Sequence, residues 1–109
     1  MQLIKAIVRP NKMDEVKEAL EKVGVTGMTV TDVRGHGQQK GHTAIYRGKE
    51  YAVSLLPKMQ IETVVPDSAL ETTVLAIVGA ARTGEIGDGR VYVTPVVQSY
   101  KIRTGERES

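Results

Sequence analysis

Two glycine-spaced stretches hold the residues best suited to chemistry: Gly35-His36-Gly37, and Thr83-Gly84-Glu85-Ile86-Gly87-Asp88-Gly89-Arg90. Closely spaced glycines let successive backbone N–H groups converge on an anion, which a nearby cation then neutralises. Arg90 is that cation in the second stretch, Lys40 and Lys58 stand around the first, and Lys101 and Arg103 form a further cationic pair. The two stretches are candidate phosphate cradles, although glycine loops of this kind are more often simple turns. Neither stretch is a P-loop, since no glycine-lysine-serine/threonine run opens a helix.

Catalysis finds less support. His36 reads either as a base or as an exposed turn histidine, and Asp88 either as a metal ligand or as a turn former bonded to its own backbone. Asp32 and Glu62, placed on strands, read as ligand-facing or exposed carboxylates more readily than as a general-acid pair. No nucleophile, base and orienting group occur as a set. The absence of cysteine excludes disulfides, thiolate metal sites and a cysteine nucleophile, and two histidines do not make a zinc cluster.

The 109 residues suit one domain, 1–109, with 40% hydrophobic and 26% charged residues, as in ordinary soluble proteins. No apolar run approaches the length that spans a bilayer and no leader pattern opens the chain, so a cytoplasmic location is expected. A net charge of +2 does not indicate nucleic-acid binding, and with four Tyr, no Phe and no Trp there are few stacking platforms for bases.

The elements that must position the glycine stretches follow from periodicity. Gln2–Arg9 alternates as a strand with Ile4, Ala6 and Val8 on one face; Pro10 stops it, and Asn11 is the expected cap of a helix over 12–23 striped by Met13, Val16, Leu20 and Val23, with Gly24 as its stop. A second strand covers Met28–Val33. A third covers Gln60–Val65, and a second helix follows Pro66, capped by Asp67 or by a Ser68/Glu71 capping box and striped by Leu70, Val74, Ile77, Val78 and Ala81. A fourth strand covers Val91–Val97, where Pro95 implies a sheet edge or bulge. Met13 and Met28 read as core fillers.

Two β-α-β halves in tandem predict an α+β, ferredoxin-like double βαβ with an antiparallel four-stranded sheet and both helices on one face. Ile7, Val30, Val64 and Val93 give both sheet faces apolar residues, which points to self-association. Between the halves runs Gly35–Lys58, whose first fourteen residues show neither helical nor strand periodicity. A segment that long in a small domain is usually functional or disordered, and Tyr46, Tyr51, Ile45 and the glycine spacing favour function. Only Thr104–Ser109 reads as a frayed tail.

Across nearly its whole length the chain resembles the PII nitrogen-regulatory signal proteins. The resemblance rests on Gly24-Val25-Thr26-Gly27-Met28-Thr29-Val30; Gln39-Lys40-Gly41-His42 with Tyr46-Arg47-Gly48 and Glu50-Tyr51; Leu56-Pro57-Lys58; Thr83 through Gly89; and Arg103-Thr104-Gly105-Glu106. It implies a homotrimer of ferredoxin-like subunits with a long T-loop at about 37–55, a second glycine loop at about 82–90 and a C-terminal segment at about 98–109. It further implies that ATP or ADP binds between neighbouring subunits and that 2-oxoglutarate joins through Mg2+. By position, Gly35, Gly37, Gln38, Gln39, Gly87, Gly89 and Arg90 would surround the phosphates, Lys101 and Arg103 would reach them from the next subunit, and Thr29, Glu62 and Val64 would form the adenine and ribose end. Gln39 would ligate the magnesium, Lys58 would pair a carboxylate of 2-oxoglutarate, and Lys40 and Gly41 would complete that pocket.

The same resemblance implies a non-enzymatic signalling protein whose effectors set the T-loop presented to partners: an ammonium transporter, a nitrogen-metabolism enzyme or a regulator, with membranes met only through a transporter. Arg47 matches the residue that enters a channel mouth. Tyr51 matches the tyrosine that a nucleotidyltransferase modifies in many bacterial members, with an unmodified binding-loop tyrosine as the alternative, and Lys49 excludes serine phosphorylation at its position. Three positions depart from the family pattern: Gln38 for arginine, Arg90 for lysine and Lys101 for arginine. Loss of the cation at 38 should weaken ATP by roughly tenfold or more and alter the ATP/ADP preference. A sensor of energy state alone is the accompanying alternative.

Overall fold

A computed structural model describes residues 1–36, 43–46, 49–52 and 55–108, with the backbone alone described for 43–46 and 49–52. Strands β1 (Gln2–Val8), β2 (Thr29–Gly35), β3 (Thr43–Tyr46), β4 (Lys49–Ala52), β5 (Leu56–Val65), β6 (Gly89–Pro95), β7 (Ser99–Tyr100) and β8 (Arg107–Glu108) accompany helices α1 (Met13–Lys22) and α2 (Leu70–Ala81). The main sheet has the order β2-β5-β1-β6 with every pair antiparallel. That is the expected ferredoxin-like α+β arrangement. Alternation decides which face is covered: Ile4, Ala6, Val8, Ile61, Thr63 and Val65 are buried, and Val16, Leu20, Thr73, Ile77 and Ala81 complete the core from the helices. The opposite face carries Leu3, Lys5, Ile7, Gln60, Glu62, Val64 and Tyr92, and Val64 and Tyr92 are 45% and 49% exposed.

Glycine ends α1 as expected. Gly24 at φ 89 sends its N–H to the Glu21 carbonyl, Val25 sends its own to Leu20, and Val25 and Leu20 both pack into the core. The expected caps do not form. Each helix is preceded by a 3-10 turn, Pro10–Lys12 or Asp67–Ala69, and neither has a side-chain cap bond. Pro10 has no N–H to satisfy and its fixed φ suits the first turn, so Asn11 is not needed, while the Asp67 carboxylate accepts from Gln2 Nε2 at 3.1 Å.

Several boundaries move for topological reasons. β1 ends at Val8, releasing Arg9 into the Pro10 turn, and β6 begins at Gly89 and ends at Pro95 on a sheet edge, where a missing ladder donor is tolerated. β5 starts at Leu56 rather than Gln60, because residues 56–58 pair with β2 but extend past the end of β1. Pro57 therefore lies where the strand has a neighbour on one side only. Part of the stretch read as irregular forms a ladder, β3 with β4, and the expected frayed tail instead turns back: β7 pairs with β8, closed by Lys101 N–H to the Glu106 carbonyl and by Gly105 at φ 73.

Candidate functional site

The cleft that the described residues form lies at one end of the open sheet face, with a volume of about 550 Å³, within the usual range for ligand sites. β2 brings Gly35 and His36 to it, β5 brings Lys58, β1 brings Ile7, and the chain from Glu85 through Arg90 brings the rest, with Tyr92 beyond. Antiparallel pairing makes this possible: Gly35 stands opposite Leu56, and Val8, at the end of β1, stands opposite Gly89 at the start of β6.

Asp88 organises the second glycine loop. Its Oδ2 accepts the N–H groups of Thr83 at 2.8 Å and Gly84 at 2.9 Å, and its Oδ1 accepts the Thr83 hydroxyl and Arg9 Nε, the latter at 3.1 Å. The Thr83 hydroxyl bond above all, joined by the two backbone donors and Arg9, holds the carboxyl well below the usual range despite opposing desolvation. Of its two readings, turn formation is the one these bonds describe. Among the described residues no three of His, Cys, Asp and Glu cluster as a metal site.

Two carbonyls of the loop are held by cations: Ile86 by Arg9 Nη2 at 2.9 Å and Gly87 by Lys58 Nζ at 2.7 Å. All peptides are trans among the described residues, so the N–H of Gly87 points away from Arg9 and that of Asp88 away from Lys58. No acceptor among the described residues takes either one. Gly87 and Gly89 adopt φ of 100° and 108°, and a Cβ on Gly89 would lie 1.7 Å from the Ile7 carbonyl oxygen, so glycine is required there twice over. Burial lowers the Lys58 pKa below its ordinary 10.5, Arg9 lowers it further, and Asp88 partly opposes both. The result is a cleft lined by Lys58 and Arg90, with Arg9 behind the loop paired to Asp88 and backbone donors to spare, a set that fits a dense anion.

Of the residues expected at a ligand site, Gly35, Lys58, Gly87, Gly89 and Arg90 meet here. Thr29 and Glu62 face each other across β2 and β5, with Val64 two residues on, and none of the three lines the cleft. Nor do Lys101 and Arg103, which sit in the exposed turn between β7 and β8. Gly37, Gln38, Gln39, Lys40, Gly41 and Arg47 lie outside the described residues, and Tyr51 is described by its backbone only. Sequence reasoning passed over Arg9, taking it as a strand residue. The available signal was its place just before Pro10, at the end of a central strand that must abut the loop opening the last one.

Comparison with known proteins agrees with the fold. The family model described as nitrogen regulatory protein P-II matches residues 1–106. A nitrogen regulatory protein P-II of Azospirillum brasilense is 56% identical over 107 residues, covering 98% of this chain and 96% of its own length. Nitrogen regulatory protein P-II 1 of Escherichia coli (strain K12) is 55% identical over 108 residues, covering 99% and 96%, and the P-II protein of Rhodobacter capsulatus is 53% identical over 106 residues, covering 97% and 95%. These names describe regulators of nitrogen metabolism, signalling proteins rather than enzymes. With a match over almost every residue, the chain belongs to the P-II nitrogen regulatory protein family.

Proposed function

We propose that this protein senses ATP or ADP together with 2-oxoglutarate and reports their state to target proteins through the 37–55 segment. The observation that carries the reading is the pairing of Gly35 with Leu56 at the edge of a cleft that holds Lys58 and Arg90. The segment leaves and rejoins the sheet at adjacent residues beside the site, so a ligand bound there touches the segment's base and can bias its conformation.

ATP or ADP would lay its phosphates against Gly35, Gly37, Gln38, Gln39, Gly87, Gly89 and Arg90. Magnesium is a hard ion that takes oxygen ligands, which suits the Gln39 amide oxygen beside phosphate and carboxylate oxygens. 2-Oxoglutarate would chelate that ion, place a carboxylate on Lys58 and meet the chain at Lys40 and Gly41. Thr29, Glu62, Val64, Lys101 and Arg103 stand away from the cleft of their own chain, and neighbouring copies in a homotrimer would supply what one chain lacks. Ile7, Val64 and Tyr92 on the uncovered sheet face support such an assembly.

The partners are an ammonium transporter, docked through Arg47, or a nitrogen-metabolism enzyme or regulator, in the cytoplasm; among the described residues no helix is long and apolar enough to cross a membrane. A nucleotidyl group on Tyr51 would add bulk and charge to the docking segment and block a close interface. Gln38, where the family pattern has arginine, favours a second reading in which energy state alone is sensed. Calorimetric titration with 2-oxoglutarate, in Mg-ATP, in Mg-ADP and without nucleotide, separates the two. Binding only with Mg-ATP is expected; nucleotide binding with no 2-oxoglutarate response would establish the second reading, and failure of both ligands would remove the first and second together.

A further inference from the structure

Arg9 makes two contacts with the glycine loop and belongs to neither helix nor sheet. The Pro10 turn fixes where it starts, with Lys12 N–H donating to the Arg9 carbonyl at 3.0 Å, and its guanidinium then reaches Asp88 Oδ1 through Nε and the Ile86 carbonyl through Nη2. The pair is shielded, at 19% and 22% side-chain exposure. Two consequences follow for anything anionic entering the cleft. Holding the Ile86 carbonyl sets the plane of the next peptide, and with it the direction of the Gly87 N–H. Pairing Asp88 cancels a negative charge that would otherwise repel the incoming anion.

We propose that Arg9 is a positioning residue for the phosphate end of the cleft, fixing residues 83–88 through Asp88 and the Ile86 carbonyl before ligand arrives. The inference rests on the nucleotide reading given above. Lysine keeps the charge that pairs with Asp88 but lacks the planar fork that holds Asp88 and the Ile86 carbonyl in one fixed geometry.

The test is calorimetry of Mg-ATP with the wild type, Arg9→Gln, Arg9→Lys and Lys12→Gln, the last removing an equal charge that pairs outside the cleft with Glu15. Arg9→Gln is expected to weaken binding by roughly tenfold or more, Arg9→Lys by about threefold, and Lys12→Gln by less than about twofold. In the unliganded proteins, amide exchange at Thr83 and Gly84 should quicken in Arg9→Gln while the α1 and α2 core amides hold their rates. Should Arg9→Gln fail to fold, Arg9→Lys decides by the same two measurements. Wild-type affinity in the Arg9 variants, or an equal loss in Lys12→Gln, overturns the inference alone. A wild type that binds no Mg-ATP overturns the nucleotide reading and the inference with it.

Discussion

The covered side of the sheet and the loop from Thr83 to Arg90 are ordered by different physics. Under the helices, Ile4, Leu20, Ile61 and Ile77 are buried to 1% exposure or less, and order there comes from excluding water over many contacts. The loop contains no buried apolar side chain and is held instead by one carboxylate with four donors, together with cations on two carbonyls. Apolar packing is tolerant of neighbours and spreads its energy. A polar hub fixes peptide directions, which is what recognition of an anion needs, and it concentrates its vulnerability in few residues.

Breaking the packed side should cost most stability. Ile61→Ala is expected to lower unfolding free energy by about 2–5 kcal/mol in urea melts, while the folded fraction keeps its ligand preferences. Gly89→Ala should cost less overall, with about 1–3 kcal/mol from backbone conformation alone, and should part β6 from β1 at the cleft end. Amide exchange confined to residues 83–91 would mark that local opening; exchange spread through α1 and α2 would contradict it.

Asp88→Asn sharpens the contrast through pH. Its native pKa is depressed, so its stabilisation is fully present above the ordinary carboxyl value of 3.8 and is lost as pH falls below it. The substitution is expected to cost about 1.5–3 kcal/mol at neutral pH and to flatten the acid limb of the stability profile. An unchanged acid limb would remove Asp88 from its role as hub. The smallest effect belongs to the outer surface: Glu18→Gln breaks the exposed pair with Lys22 and should move stability by no more than about 0.5 kcal/mol in the same melts.

The same division explains what could be read from the chain alone. Ile4, Ala6 and Val8, Val16 and Leu20 of the first helix and the Gly24 stop were legible, because burial imposes period and a left-handed residue demands glycine, whereas Val23, expected in the same stripe, is exposed. The loop's glycines were legible as a turn-rich stretch, and Gly87, Gly89 and Arg90 of it line the cleft. What was not legible depends on contacts between residues distant in the chain: Arg9 reaches across to Asp88, Gln2 occupies Asp67 and so displaces an expected cap, and the tail pairs with Ser99 and Tyr100. Thr73 entered the core against its polarity by returning its hydroxyl to the Ala69 carbonyl at 2.7 Å. Pro57 disguised the start of β5, since nothing local reveals that β1 stops short of it.

If recognition resides in the polar loop and its cleft, with the packed core only carrying them, nuclear magnetic resonance mapping of backbone amides during titration with Mg-ATP will separate the two regions. Gly87, Asp88, Gly89 and Arg90 are expected to shift most, with Gly35 and Lys58 beside them and the buried residues of α1 and α2 nearly still. Large shifts in the helices with residues 84–90 unmoved would contradict it.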